Sequence, residues 1–134
     1  MKTIKIHGQD KKLLDVSIHQ ILKNINNGEH FFWGLLWLKG IGENILKLEE
    51  SINKNHNGYI LSWVKLEEVL NNIDSIEEIL LIGDVDKFKL KRYESDTEMR
   101  ISCKYIIELV DSSYWLVSSM DSNFIEGVQS LLKE

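Results

Sequence analysis

The chain has no proline and only one cysteine among its 134 residues. Without proline no φ angle is locked and no amide donor is missing, so turns fall to asparagine, glycine, aspartate and serine. A single thiol, Cys103, excludes an internal disulfide and a thiolate metal cage. Nothing in its sequence neighbourhood marks a lowered pKa, so it reads as a small hydrophobe at the start of a strand. Long apolar runs are missing as well. The greasiest stretch, 31–38, is too short to cross a bilayer, and 1–7 alternates polar and apolar residues with no signal-peptide core. The expectation is a cytoplasmic protein with no membrane partner.

Basic residues are also in deficit. Sixteen Lys and Arg face 21 Asp and Glu, a net charge of −5. An acidic surface repels phosphate backbones, so no nucleic-acid partner is expected; it favours solubility and steers basic proteins. Lys87, Lys89, Lys91 and Arg92 form the one basic cluster, diluted by Asp84, Asp86, Glu94, Asp96 and Glu98. It reads as a mixed-charge surface loop.

The motifs of catalysis are absent in turn. His7, His19, His30 and His56 have neither H-x-H nor H-E-x-x-H spacing, so no metal site is expected. Gly40-Ile41-Gly42-Glu43-Asn44-Ile45 has two glycines of a phosphate-cradling turn but isoleucine where the third belongs, and Ser62-Trp63 where an acid would follow. A tight strand-to-helix turn is the plainer reading. There is no G-x-S-x-G. The pairs Glu49-Glu50, Glu67-Glu68 and Glu77-Glu78 are sequence neighbours, which on a helix do not share a face. The reading is non-enzymatic, with no cofactor.

What is present is the patterning of one α+β domain spanning 1–134. Two strand-forming runs, 105–110 and 114–117, flank Asp111-Ser112-Ser113, a β-hairpin signal within 103–119. Residues 2–7 read as an edge strand. Ser17-x-x-Gln20 is a capping box, opening a helix that runs to about Asn26. Stretch 31–38 is apolar on both faces and reads as a central strand, with Trp33 and Trp37 on one side by parity. Ile41, Ile45, Leu48 and Ile52 mark an amphipathic helix that ends near Asn57-Gly58, and Ser62 caps a further helix with Trp63, Leu66, Leu70 and Ile73 as its buried stripe. A strand is favoured at 78–82. Residues 84–100 are the least core-like and read as a loop with helix in the second half. Asp121 or Ser122 caps a last helix whose apolar face is Phe124, Ile125, Val128, Leu131 and Leu132. The sum is an antiparallel or mixed sheet with about four helices.

The order of these pieces carries a resemblance. F-W-G-L-L-W-L-K-G-I-G, then an acidic helix, N-G-Y-I-L-S-W, I-L-L-I-G-D and Y-I-I-E-L-V-D-S-S-Y-W-L-V-S together resemble small acidic bacterial proteins of the immunity type, which pair with polymorphic toxins. That resemblance implies a protein that binds and blocks a cognate toxin. Candidate contacts are Glu67, Glu68, Asp84 and Asp86, with Trp33 or Trp37 as an aromatic anchor, a residue type enriched at binding hot spots. Two other readings stay open. One is a small-molecule or nucleotide pocket beside Trp33, Trp37 and Gly40–Gly42; the other is a scaffold or oligomer subunit.

Overall fold

A computed structural model describes residues 2–7 and 16–131. Six antiparallel strands form one sheet: β1 (Lys2–His7), β2 (Phe32–Gly42), β3 (Tyr59–Leu61), β4 (Ile73–Asp84), β5 (Tyr105–Val110) and β6 (Tyr114–Ser119). Their order across the sheet is β1-β6-β5-β4-β2-β3. Among the described residues five α-helices accompany them: α1 (Ile18–Leu22), α2 (Ile45–Lys54), α3 (Trp63–Asn71), α4 (Asp96–Ser102) and α5 (Ser122–Ser130). The architecture is α+β, with the hairpin β5-β6 next to β4, and the helix expected in the second half of 84–100 forms as α4.

Directly paired residues share a face, so the register sorts the side chains into two sets. Ile4, Val117, Ile107, Leu81 and Leu35 form one continuous row across five strands. All are buried on the first face, under Ile21 of α1, Ile52 of α2, Leu66 and Leu70 of α3, and Phe124, Ile125 and Val128 of α5. At about 25 cal/mol per Å² of apolar area, this layer is the main source of stability. Its centre is aromatic. Tyr105 meets Phe31 and Phe124 edge-on at 5.3 and 5.1 Å, and Trp33 lies 5.3 Å from Trp63. Two glycines make room for these rings. A Cβ on Gly83, the cross-strand partner of Trp33, would stand 2.5 Å from its ring, and one on Gly28 would stand 2.4 Å from Trp63.

The second face has a smaller core of Leu36, Ile82, Leu90, Met99, Cys103 and Ile106. The segment 85–104 crosses it like a strap. It is the loop with helix in its second half that the sequence suggests, and two residues of this least core-like stretch, Leu90 and Met99, are buried pegs. Arg92 fastens the strap, its guanidinium donating to the carbonyls of Leu36 and Ile52. The Leu36 carbonyl lies at a β-bulge, where the ladder to β4 skips from Leu35 to Trp37.

That bulge also overturns the parity argument for the tryptophans. Trp33 lies on the first face, while Trp37 pairs with Leu80 on the second. Other boundaries move too. The Ser17 capping box forms, but its helix ends at Leu22. Gly40-Ile41-Gly42 belongs to strand β2, and the turn into α2 falls at Asn44, in the left-handed region. Strand β4 begins at Ile73, well ahead of the stretch 78–82 that the sequence favours for it. Cys103 ends α4 rather than opening β5. Leu132, expected on the face of α5, lies outside the described residues.

Candidate functional site

The second face is only partly covered. Beyond the strap, the row Lys5, Leu116, Glu108, Leu80 and Trp37 runs across five strands. Leu116, Glu108 and Leu80 are half-buried, and Trp37 is 45% exposed. An antiparallel sheet often leaves one face to solvent, and such faces alternate with polar residues. This strip differs in placing a large ring and a partly desolvated carboxylate among aliphatic neighbours.

Each side chain is held by its surroundings. The Trp37 indole N–H donates to Glu78 Oε1 at 2.8 Å, fixing the ring against the sheet. Glu78 is opposite Lys39, whose ammonium lies 3.7 Å from the Glu77 carboxylate. Burial pushes the Glu108 carboxyl above its ordinary range; the negative charges of Asp96 and Glu78 add to this, and Arg100 opposes it. Asp96 and Arg100 come from α4, so the strap helix forms one wall beside the strip. Chemically, the arrangement offers a ring face and carboxylates in a partly dry setting, the features that receive a cationic or amphipathic side chain. Among the described residues, no group of three or more His, Cys, Asp and Glu side chains converges to hold a metal ion.

The residues singled out in the sequence are not brought together. Trp37 is on the strip. Trp33 is fully buried, its indole N–H donating to the Gly28 carbonyl at 3.0 Å. Glu67 and Glu68 are exposed on α3, across the sheet from Trp37. Asp84 is 5% exposed and structural: one oxygen accepts from the Asp86 amide and the other from the Lys104 amide, both at 2.9 Å. Asp86 in turn caps the 3-10 turn Lys87–Lys89 by accepting from the Phe88 amide. Glu78 and Glu108 went unselected. A usable signal for Glu108 existed, because a lone acid inside Y-I-I-E-L-V shares a strand face with Ile106 and Val110 and so interrupts an apolar row.

A pocket beside Trp33, Trp37 and Gly40–Gly42 is not how these residues are arranged, since the two rings are on opposite faces. A cleft of about 390 Å³ lies elsewhere, between α1, the start of β4 and the hairpin turn. Leu70, Ile76, Leu109 and Trp115 form its apolar floor, with His19 and Asp74 among its polar lining. Among the described residues, no helix is long and apolar enough to cross a membrane. Compared with models of protein families, with curated proteins and with solved structures, the chain has no match.

Proposed function

We propose that this is a non-enzymatic binding protein that docks a basic protein partner on the open strip of its sheet. The observation that carries the reading is the exposed Trp37 ring, tethered to Glu78 in the same half-covered row as Glu108. A rigid aromatic beside partly desolvated carboxylates is the composition of an interface hot spot. The net charge of −5 supports the choice of a basic partner, because complementary fields speed encounter and disfavour acidic competitors. The resemblance to immunity-type proteins makes the partner a cognate toxin, neutralised by occlusion.

The test is to co-express the chain with the product of the adjacent gene, scoring growth and co-purification. Rescue of growth, with a complex that weakens as salt rises, is expected. A growth defect that the chain leaves untouched, with no complex at low salt, counts against the proposal. Small-molecule binding is the second reading, supported by the 390 Å³ cleft, which falls within the size range of ligand sites. A thermal-shift screen separates the two: a ligand that raises Tm, with no protein complex, favours the cleft.

A further inference from the structure

The basic cluster of the strap has a second use that the strip does not explain. Residues 85–89 protrude at the corner where β4 leaves the sheet. Phe88 is 81% exposed and Val85 62% exposed, the apolar tips of an otherwise charged loop. Phe32 is adjacent, paired with Asp84. Ile60 is opposite Gly34, and it shares the second face with the Leu90 side chain that packs over Gly34. Phe32 and Ile60 are exposed as well.

This loop is built to hold its tip out. The Asp84 side chain accepts from the Asp86 amide, and the Asp86 side chain accepts from the Phe88 amide. The Tyr93 hydroxyl donates to the Lys89 carbonyl at 2.6 Å. These bonds fix the backbone on both sides of Phe88, so its exposure is not a frayed end. They take up one oxygen of each of the two nearest acids, Asp84 buried and Asp86 exposed beside the lysines. Lys87, Lys89 and Lys91 are exposed along this loop, the Lys87 ammonium 5.8 Å from the Phe88 centroid and the Lys91 ammonium 5.3 Å from that of Tyr93.

The geometry points to a peripheral docking site for an anionic lipid bilayer, with Phe88 and Val85 entering the headgroup layer and the three lysines meeting lipid phosphates. Charge decides among occupants. Three exposed lysines in a loop with an apolar tip outnumber its one exposed acid, Asp86, and so complement an anionic, apolar-cored surface and mismatch a basic protein. A flat bilayer meets only the tip, whereas a nucleic acid tracking the chain would run onto the acidic surroundings. The overall −5 opposes approach, but charges further than about 8 Å are screened at physiological salt. The expectation of no membrane partner came from the lack of a spanning segment, which a peripheral contact does not require.

Co-sedimentation of the full chain with vesicles of phosphatidylcholine, with and without phosphatidylglycerol, tests this. Binding that needs phosphatidylglycerol and fades with salt is expected. Phe88→Ala should weaken it by about tenfold and Phe88→Trp should strengthen it. Lys87→Glu with Lys89→Glu should weaken it by at least about thirtyfold, with Tm unchanged because these side chains are exposed. Several outcomes overturn the proposal: no sedimentation with either vesicle at low salt, equal binding to both, or indifference to both variants. So does capture by a single-stranded oligonucleotide, or by an acidic protein, in place of vesicles.

Discussion

The two faces of one sheet meet opposite fates in this protein. On the first, four helices and an interlocked set of Phe31, Trp33, Trp63, Tyr105 and Phe124 rings close the surface except at the cleft beside α1. On the second, a single strap covers part of the surface, borders Leu80 and Glu108, and leaves Trp37 exposed. The first face specifies the fold through shape, because rings and glycines are matched in pairs. The second is held by a clasp, the Arg92 guanidinium on two carbonyls, and leaves a strip for other molecules.

The comparison is broken most severely from the first face. Trp33→Ala removes the ring at the centre of the aromatic cluster and should cost about 4 kcal/mol, read as a fall in the denaturant midpoint. Gly83→Ala pushes a methyl into that same ring and should cost about 2 kcal/mol, so both halves of the pair report on one contact. Arg92→Ala tests the clasp. It strands the Leu36 and Ile52 carbonyls and should cost about 2 kcal/mol, with faster amide exchange across 85–104 and little change in β5 and β6. Lys at this position should not rescue, because one ammonium lacks the guanidinium's fork.

The smallest effect is the most diagnostic. Glu108 holds its proton more tightly in the folded chain than in the unfolded one. Between the two pKa values the folded state therefore binds more protons, and stability falls as pH rises through that window. Glu108→Gln should accordingly raise Tm at neutral pH, with the gain vanishing at acid pH where both chains are neutral there. A Tm difference of the opposite sign, or one independent of pH, would remove the argument that this carboxylate is partly desolvated at a cost. The same variant should weaken partner binding, separating stability from function at one residue.

Much of this was legible in the sequence, and the rest failed for identifiable reasons. The hairpin, the caps at Ser17, Ser62 and Asp121, and the edge strand β1 follow from local turn chemistry and alternation. The pairing of Trp33 with Trp37 failed because one bulge residue, Leu36, shifts parity, and no local signal marks a bulge in a run that is apolar on both faces. In 84–100 the loop and its helix are legible, but the packing is not, because charges dominate the composition while two widely spaced residues, Leu90 and Met99, are the buried ones. Arg92 read as part of a solvated basic run because its partners are 40 and 56 residues away along the chain. The site itself suffers from the same distance: Trp37, Glu78 and Glu108 come from three strands, and only the fold makes them neighbours.

The central claim is that partner binding belongs to the open strip and not to the acidic helix on the other side. Isothermal titration of the co-purified partner against Trp37→Ala and against the double variant Glu67→Gln, Glu68→Gln decides it. The strip predicts a loss of about thirtyfold or more for Trp37→Ala, with Tm nearly unchanged, and no more than about a twofold loss for the helix variant. Full affinity in Trp37→Ala, with the loss falling on Glu67 and Glu68, would contradict it.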